Sequence, residues 1–174
     1  MSSSSSSTDF VSSPSSSLLV CDAEGLYRPA SADEVLRQAR VVLSRRVRRG
    51  ALFDSPSVVK DYLLMRLAPL EHEVFCVAFL DAQHRLLAFR EMFRGTLAQT
   101  SVYPREVVKE ALILNSAAVV LAHNHPSGHV QPSRADEFLT QSLKTSLALV
   151  DVRVLDHVIV GGDATLSFAE RGLL

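Results

Sequence analysis

Between Ala117 and Glu137 the chain reads AAVVLAHNHPSGHVQPSRADE, and three of its side chains, His123, His125 and Asp136, could hold a metal ion. The stretch opens on small and β-branched apolar residues, the composition of a short buried strand. Residues two apart on a strand point to one face, with Cα atoms roughly 6.6 Å apart, so both imidazoles sit on one side of the strand's carboxyl end. Pro126, Gly128 and Pro132 then impose a loop. Ser133 is a helix N-cap candidate, and Asp136 falls three residues on, in the first turn of the next helix. A strand end facing a helix start can present two neutral nitrogens and one carboxylate to a single cation. Three protein ligands of these types leave a position for water, as in a catalytic rather than a structural zinc site.

Each residue alone has an ordinary reading. A lone His-x-His is common, and Asp three residues after Ser is a routine capping pattern. The combination is far more specific. With Ser133 eight residues after His125 and Asp136 three after Ser133, the spacing resembles, position for position, the H-x-H-x7-S-x-x-D signature of the JAMM (JAB/MPN) metallopeptidases. The longer string HNHPSG followed by PSRAD is similar to the RadC-like branch of that superfamily. So are PREVVKEAL (Pro104–Leu112), DHVIVGG (Asp156–Gly162) and the terminal SFAERGLL, and the resemblance covers about Glu71 to Leu174.

The resemblance implies Zn2+ on His123, His125 and Asp136, and hydrolysis of a peptide or isopeptide bond in a peptide or protein substrate. Amide hydrolysis also needs a group to take the proton of water and pass it to the leaving nitrogen. In JAMM peptidases this is a glutamate at the start of the first core strand, and Glu73, just before VFCVAFL, is the matching position. Glu71 is the runner-up, since it would share a strand face with Glu73 if the strand extended that far, and Glu91 is a distant third. The ordinary reading of either leading glutamate is a solvated turn residue after Pro69. Ser133 can cap the helix carrying Asp136 and, by the resemblance, donate to the oxyanion of a tetrahedral intermediate. Asn124 should face away from the histidines. His157 is either a support for the metal site or a satisfied core histidine. His129 stands where RadC-like proteins often have an acidic or small residue.

Two other functions stay open. RadC-like proteins are linked to DNA repair, which implies a nucleic-acid partner; but the helix-hairpin-helix-like segment of longer members is not recognisable here. The chain therefore looks like a short, stand-alone member, similar to those of prophages and mobile elements. The third reading is a non-catalytic module that keeps a metal for stability or partner binding. Zinc deaminases, which share the fold kinship, use H-x-E with P-C-x-x-C, and this chain has no C-x-x-C.

With 174 residues, 47% of them hydrophobic, the chain has enough apolar material for one domain with an appendage. A net charge of −1 argues for no polyanion partner. Cys21 and Cys76 form no pairing motif, and Cys76 sits in an apolar run, as in a reducing cytosol. No apolar run approaches the roughly 18 residues that span a bilayer, and there is no secretory signal. The expectation is a cytoplasmic protein without a membrane partner; oligomeric state is not encoded legibly.

The elements that must position these residues follow in order. Met1–Ser17 is serine-dominated and expected to be disordered. Residues 18–70 read as an N-terminal helical extension, and 71–174 as the metallohydrolase domain. Leu18–Pro29 holds a short apolar patch that could form an edge strand. Ser31 and Glu34 form a capping box for a helix ending near Gly50. Its last turns carry Arg45, Arg46, Arg48 and Arg49, either a phosphate contact or solvated arginines at the negative helix end; no aromatic platform accompanies them, which favours the second. Ser55-Pro56 starts a helix to about Leu67. Val74–Leu80 and Arg85–Phe93 read as an antiparallel pair, Pro104 to about Leu114 as a helix, Arg134 to about Leu149 as another. Val152–Val160 and Leu166–Phe168 read as strands around a Gly161-Gly162-Asp163 turn. This order predicts an α/β domain with a layered mixed β-sheet and flanking helices; the resemblance implies the JAB/MPN, cytidine-deaminase-like architecture.

Overall fold

A computed structural model of the protein describes residues 18–21, 25–46, 52–95 and 102–174. The serine-rich Met1–Ser17, Gly50 and the side chains of the arginine cluster lie outside the described residues. Two compact units part at Ala39.

In the first unit, β1 (Leu19–Cys21) pairs antiparallel with β2 (Tyr27–Pro29) as a separate two-stranded sheet. The helix α1 (Ala32–Arg46) starts at the expected capping box: Ser31 N–H donates to Glu34 Oε2 at 2.9 Å, and Glu34 N–H to Ser31 Oγ at 3.3 Å. Arg28 joins Glu34 at 2.6 Å and holds that carboxyl down at about 2.

The second unit carries the chemistry. Its elements are α2 (Pro56–Leu67), β3 (Val74–Leu80), β4 (Leu86–Arg94), α3 (Pro104–Ile113), β5 (Ala118–Asn124), α4 (Arg134–Ala148), β6 (Arg153–Gly161), β7 (Ala164–Ser167) and α5 (Phe168–Arg171). Their order follows the sequence-based expectation, with one correction. Phe168 does not end the last strand but opens α5, because Ser167 Oγ caps the Glu170 N–H at 3.1 Å.

The five-stranded sheet runs β4-β3-β5-β6-β7. β3 pairs antiparallel with both β4 and β5, β5 pairs parallel with β6, and β6 pairs antiparallel with β7. The central strands VFCVAFL and AVVLAHN are buried at every position because both faces are covered. On one face Cys76, Ala78, Val120, Ala122 and Val158 pack with Leu63 and Leu67 of α2. On the other, Phe75, Val77, Val119 and Leu121 pack with α3 and α4 through Val107, Ala111, Leu143 and Leu147. The result is a layer of one helix, a mixed sheet and a layer of two helices. Cys76 is core, and its burial, helped by the Glu91 charge, pushes the thiol up to about 12.

Period-two alternation sorts the end of β5. His123 follows Val119 and Leu121 toward α3 and α4, while Asn124 follows Val120 and Ala122 toward α2. The Asn124 amide then binds the segment entering β3: its Oδ1 accepts from Val74 N–H at 2.9 Å, and its Nδ2 donates to the carbonyls of His72 at 3.0 Å and Leu70 at 3.3 Å. Asn124→Leu strands these backbone groups and should lower stability by about 2–3 kcal/mol, seen as a lower urea midpoint at unchanged denaturant slope.

Candidate metal centre

His123 stands one residue before the end of β5, 1% exposed, with its ring stacked on Phe75 at 6.4 Å. His125 lies just past the strand, where its N–H still donates to Val160 O at 2.8 Å. The loop then turns back, so that His125 Nδ1 donates to His129 O at 2.7 Å. A carbonyl only accepts; in the neutral ring this leaves the His125 Nε2 lone pair facing His123. Of His129 it is the backbone, not the imidazole, that makes this contact. The loop can sit so close to β6 because residue 161 is glycine: a Cβ there would come within 2.7 Å of Gly128 O.

Asp136 is delivered by the start of α4. Ser133 caps the helix, its Oγ accepting from Asp136 N–H at 3.2 Å, while Ser133 N–H and Oγ–H both donate to Asp136 Oδ2 at 2.7 Å. This capping box consumes one carboxylate oxygen and aims the other inward. Among the described residues, Oδ1 is buried without a hydrogen-bond partner, 3.4 Å from His123 Nε2, which itself lies 3.0 Å from His125 Nε2.

Burial, opposed by Asp136 and aided by His125, lowers the His123 pKa to about 4, so its contact with Asp136 at neutral pH is not an ion pair. A buried carboxylate oxygen with no donor is costly. A cation resolves that cost. Donor atoms about 2 Å from a shared tetrahedral ion stand about 3.3 Å apart, and the separations here are 3.0 and 3.4 Å. His123, His125 and Asp136, whose donor atoms all lie within 4.8 Å of one another, can therefore hold one metal ion.

Behind His123 lies a second buried histidine. His157 Nε2 is 2.8 Å from His123 Nδ1, and His157 Nδ1 is 2.6 Å from Thr140 Oγ1. Burial, then the neighbouring His123 and His125, lowers the His157 pKa well below its ordinary value. Sequence reasoning left His157 open between support and core; it touches the metal-ligand candidate directly. Thr140 was missed, although its position four residues after Asp136, on the same helix face, was a usable signal.

Glu73 is half-buried just ahead of β3 and, with His123, lines a crevice of about 10 Å3. That is room for about one water molecule. Glu71 is not on its strand face, because β3 starts only at Val74. It lines a different cleft of about 380 Å3, with Leu70, Asn124, His125, Pro126 and Val160. Glu91 pairs in register with Cys76, which faces α2, and is held by Arg94 at 2.8 Å.

The two depressed histidines predict how the metal-free protein responds to acid. Below about pH 6.5 the unfolded chain protonates both rings. The folded chain resists, down to about 4 at His123 and well below the ordinary imidazole value at His157. Unfolding thus takes up protons, and stability should fall with pH over this range, by up to about 1.4 kcal/mol per pH unit per histidine. Denaturation midpoints measured in chelator across pH 4–7 check this; a flat profile would contradict it.

Comparison with known proteins agrees with this construction. A family model described as RadC-like JAB domain matches residues 53–173, from just ahead of α2 to the penultimate residue. A UPF0758 protein of Leptothrix cholodnii is 60% identical over 165 residues, covering 90% of this chain and 74% of that one. UPF0758 proteins of Methylibium petroleiphilum and Verminephrobacter eiseniae are 63 and 66% identical over 150 residues, 86% of this chain and 68 and 63% of theirs. With the mixed sheet between helix layers and the His-His-Asp group in place, the chain belongs to the RadC-like JAB domain family.

Proposed function

We propose that the protein is a zinc-dependent hydrolase of JAMM type that cleaves peptide or isopeptide bonds. The observation that carries this reading is Asp136 Oδ1, a buried carboxylate oxygen without a donor, set against two imidazole nitrogens. Two imidazoles and one carboxylate are a donor set that suits zinc. The bound ion supplies Lewis acidity toward water and a carbonyl oxygen.

The chain's own residues do the rest. Glu73, beside His123 across a crevice of one-water size, takes the proton of the attacking water and returns it to the leaving nitrogen. Ser133 holds Asp136 in its resting geometry through Oδ2. To stabilise an oxyanion, its hydroxyl turns from Oδ2, which keeps the Ser133 N–H as donor. The cleft that His125 lines together with Leu70 and Pro126 offers a place for substrate.

Protein purified without a tag should carry about one zinc per chain, and a peptide library should report cleavage. Glu73→Gln should retain the metal and lose at least 100-fold in rate. Undiminished cleavage by that variant would move the base elsewhere. Cleavage of DNA but not peptides would favour the nucleic-acid function, and metal with neither activity would leave a binding module.

A further inference from the structure

We propose that Thr140 and His157 are positioning residues that set the tautomer and direction of the His123 ring, turning its Nε2 lone pair toward His125 and Asp136. The proposal rests on the metal-centre reading above and deepens it.

A buried chain of hydrogen bonds has too few protons to be polarised in more than one way. Thr140 lies one turn after Asp136 on α4, and its Oγ1 is 2.6 Å from Asp136 O and 2.6 Å from His157 Nδ1. The hydroxyl has one proton, and the carbonyl can only accept. The proton therefore goes to Asp136 O, and Oγ1 accepts from His157 Nδ1–H. The reverse polarity would press a hydroxyl and a carbonyl oxygen together at 2.6 Å with no proton between them. His157 is enclosed by aromatic rings, Phe75 at 5.7 Å and Phe168 at 4.7 Å between centroids. With its one proton on Nδ1, the neutral ring offers Nε2 as an acceptor, and His123 Nδ1 at 2.8 Å is the donor. His123 then has no proton left for Nε2. Metal-binding imidazoles are oriented in this way by the partner of their other nitrogen.

The chain starts on the residue that also supplies a metal-ligand candidate. The backbone carbonyl of Asp136 anchors the relay, and its carboxylate faces the nitrogen the relay controls. A slip of α4 against β6 would thus misdirect both groups at once. His125 is handled separately, by the carbonyl of His129.

Long-range 1H–15N correlation spectra of the metal-free, 15N-labelled full chain report histidine tautomers directly. The wild type should show His123 as the Nδ1–H form. Thr140→Val, nearly isosteric, should lose that single tautomer and weaken zinc binding, read by competition with a chromogenic chelator, roughly 10- to 100-fold. Thr140→Ser, which keeps the hydroxyl, should restore both. An Nε2–H tautomer in the wild type overturns the proposal even if the valine variant does not fold. So does a valine variant with lowered melting temperature but wild-type tautomer and affinity. A wild-type chain with the Nδ1–H tautomer and tight zinc uptake, but no hydrolysis of peptides, supports the proposal and overturns the hydrolase reading instead.

Discussion

The electrostatic demand of one buried carboxylate oxygen organises this end of the molecule. Asp136 has two oxygens inside a protein interior, and the helix cap satisfies only Oδ2. Oδ1 faces the His123 imidazole, 3.4 Å from its Nε2. Burial keeps His123 from answering with a proton near neutral pH. A site like this is costly while it lacks a positive charge and favourable once it gains one, which is how metal binding and folding become coupled.

That demand explains why the surroundings are built as they are. Each group aimed at the metal position is held by a bond on its other side: His125 by the carbonyl of His129, His123 by His157, and Asp136 by the Ser133 cap. The supports come from different parts of the chain, namely the loop, β6 and the start of α4. Gly161 lets the loop approach β6, and Asn124 ties the end of β5 to the segment bearing Glu73. Rigid sheet and helix ends, not the loop alone, therefore set the directions of the reactive groups, and the entropic cost of ordering them is met on folding.

The glutamates show what separates a catalytic candidate from a bystander. Glu71, Glu73 and Glu91 lie within 21 positions of one another in the sequence. The strand boundary at Val74 puts Glu71 in another cleft, and the pleat of β4 puts Glu91 on the α2 side. Glu73 alone of the three lines the crevice with His123.

Much of this was legible in the chain itself, because local rules govern it. The His-x-His alternation follows from the period of a strand, and the Ser133–Asp136 spacing from the reach of a capping side chain. Buried apolar runs announced β3 and β5, and Pro56 and Pro104 marked helix starts. The end of β7 misled, since a serine cap three residues before Glu170 outweighed the apolar pattern through Phe168. What the order of residues could not decide was long-range register. His157 meets His123 only because β6 lies parallel to β5 with Leu121 opposite His157, a pairing made across the α4 crossover. Thr140 joins them only because α4 packs on that face of the sheet. Side-chain type and local spacing are properties of neighbours along the chain; which proton sits on which nitrogen depends on neighbours in space.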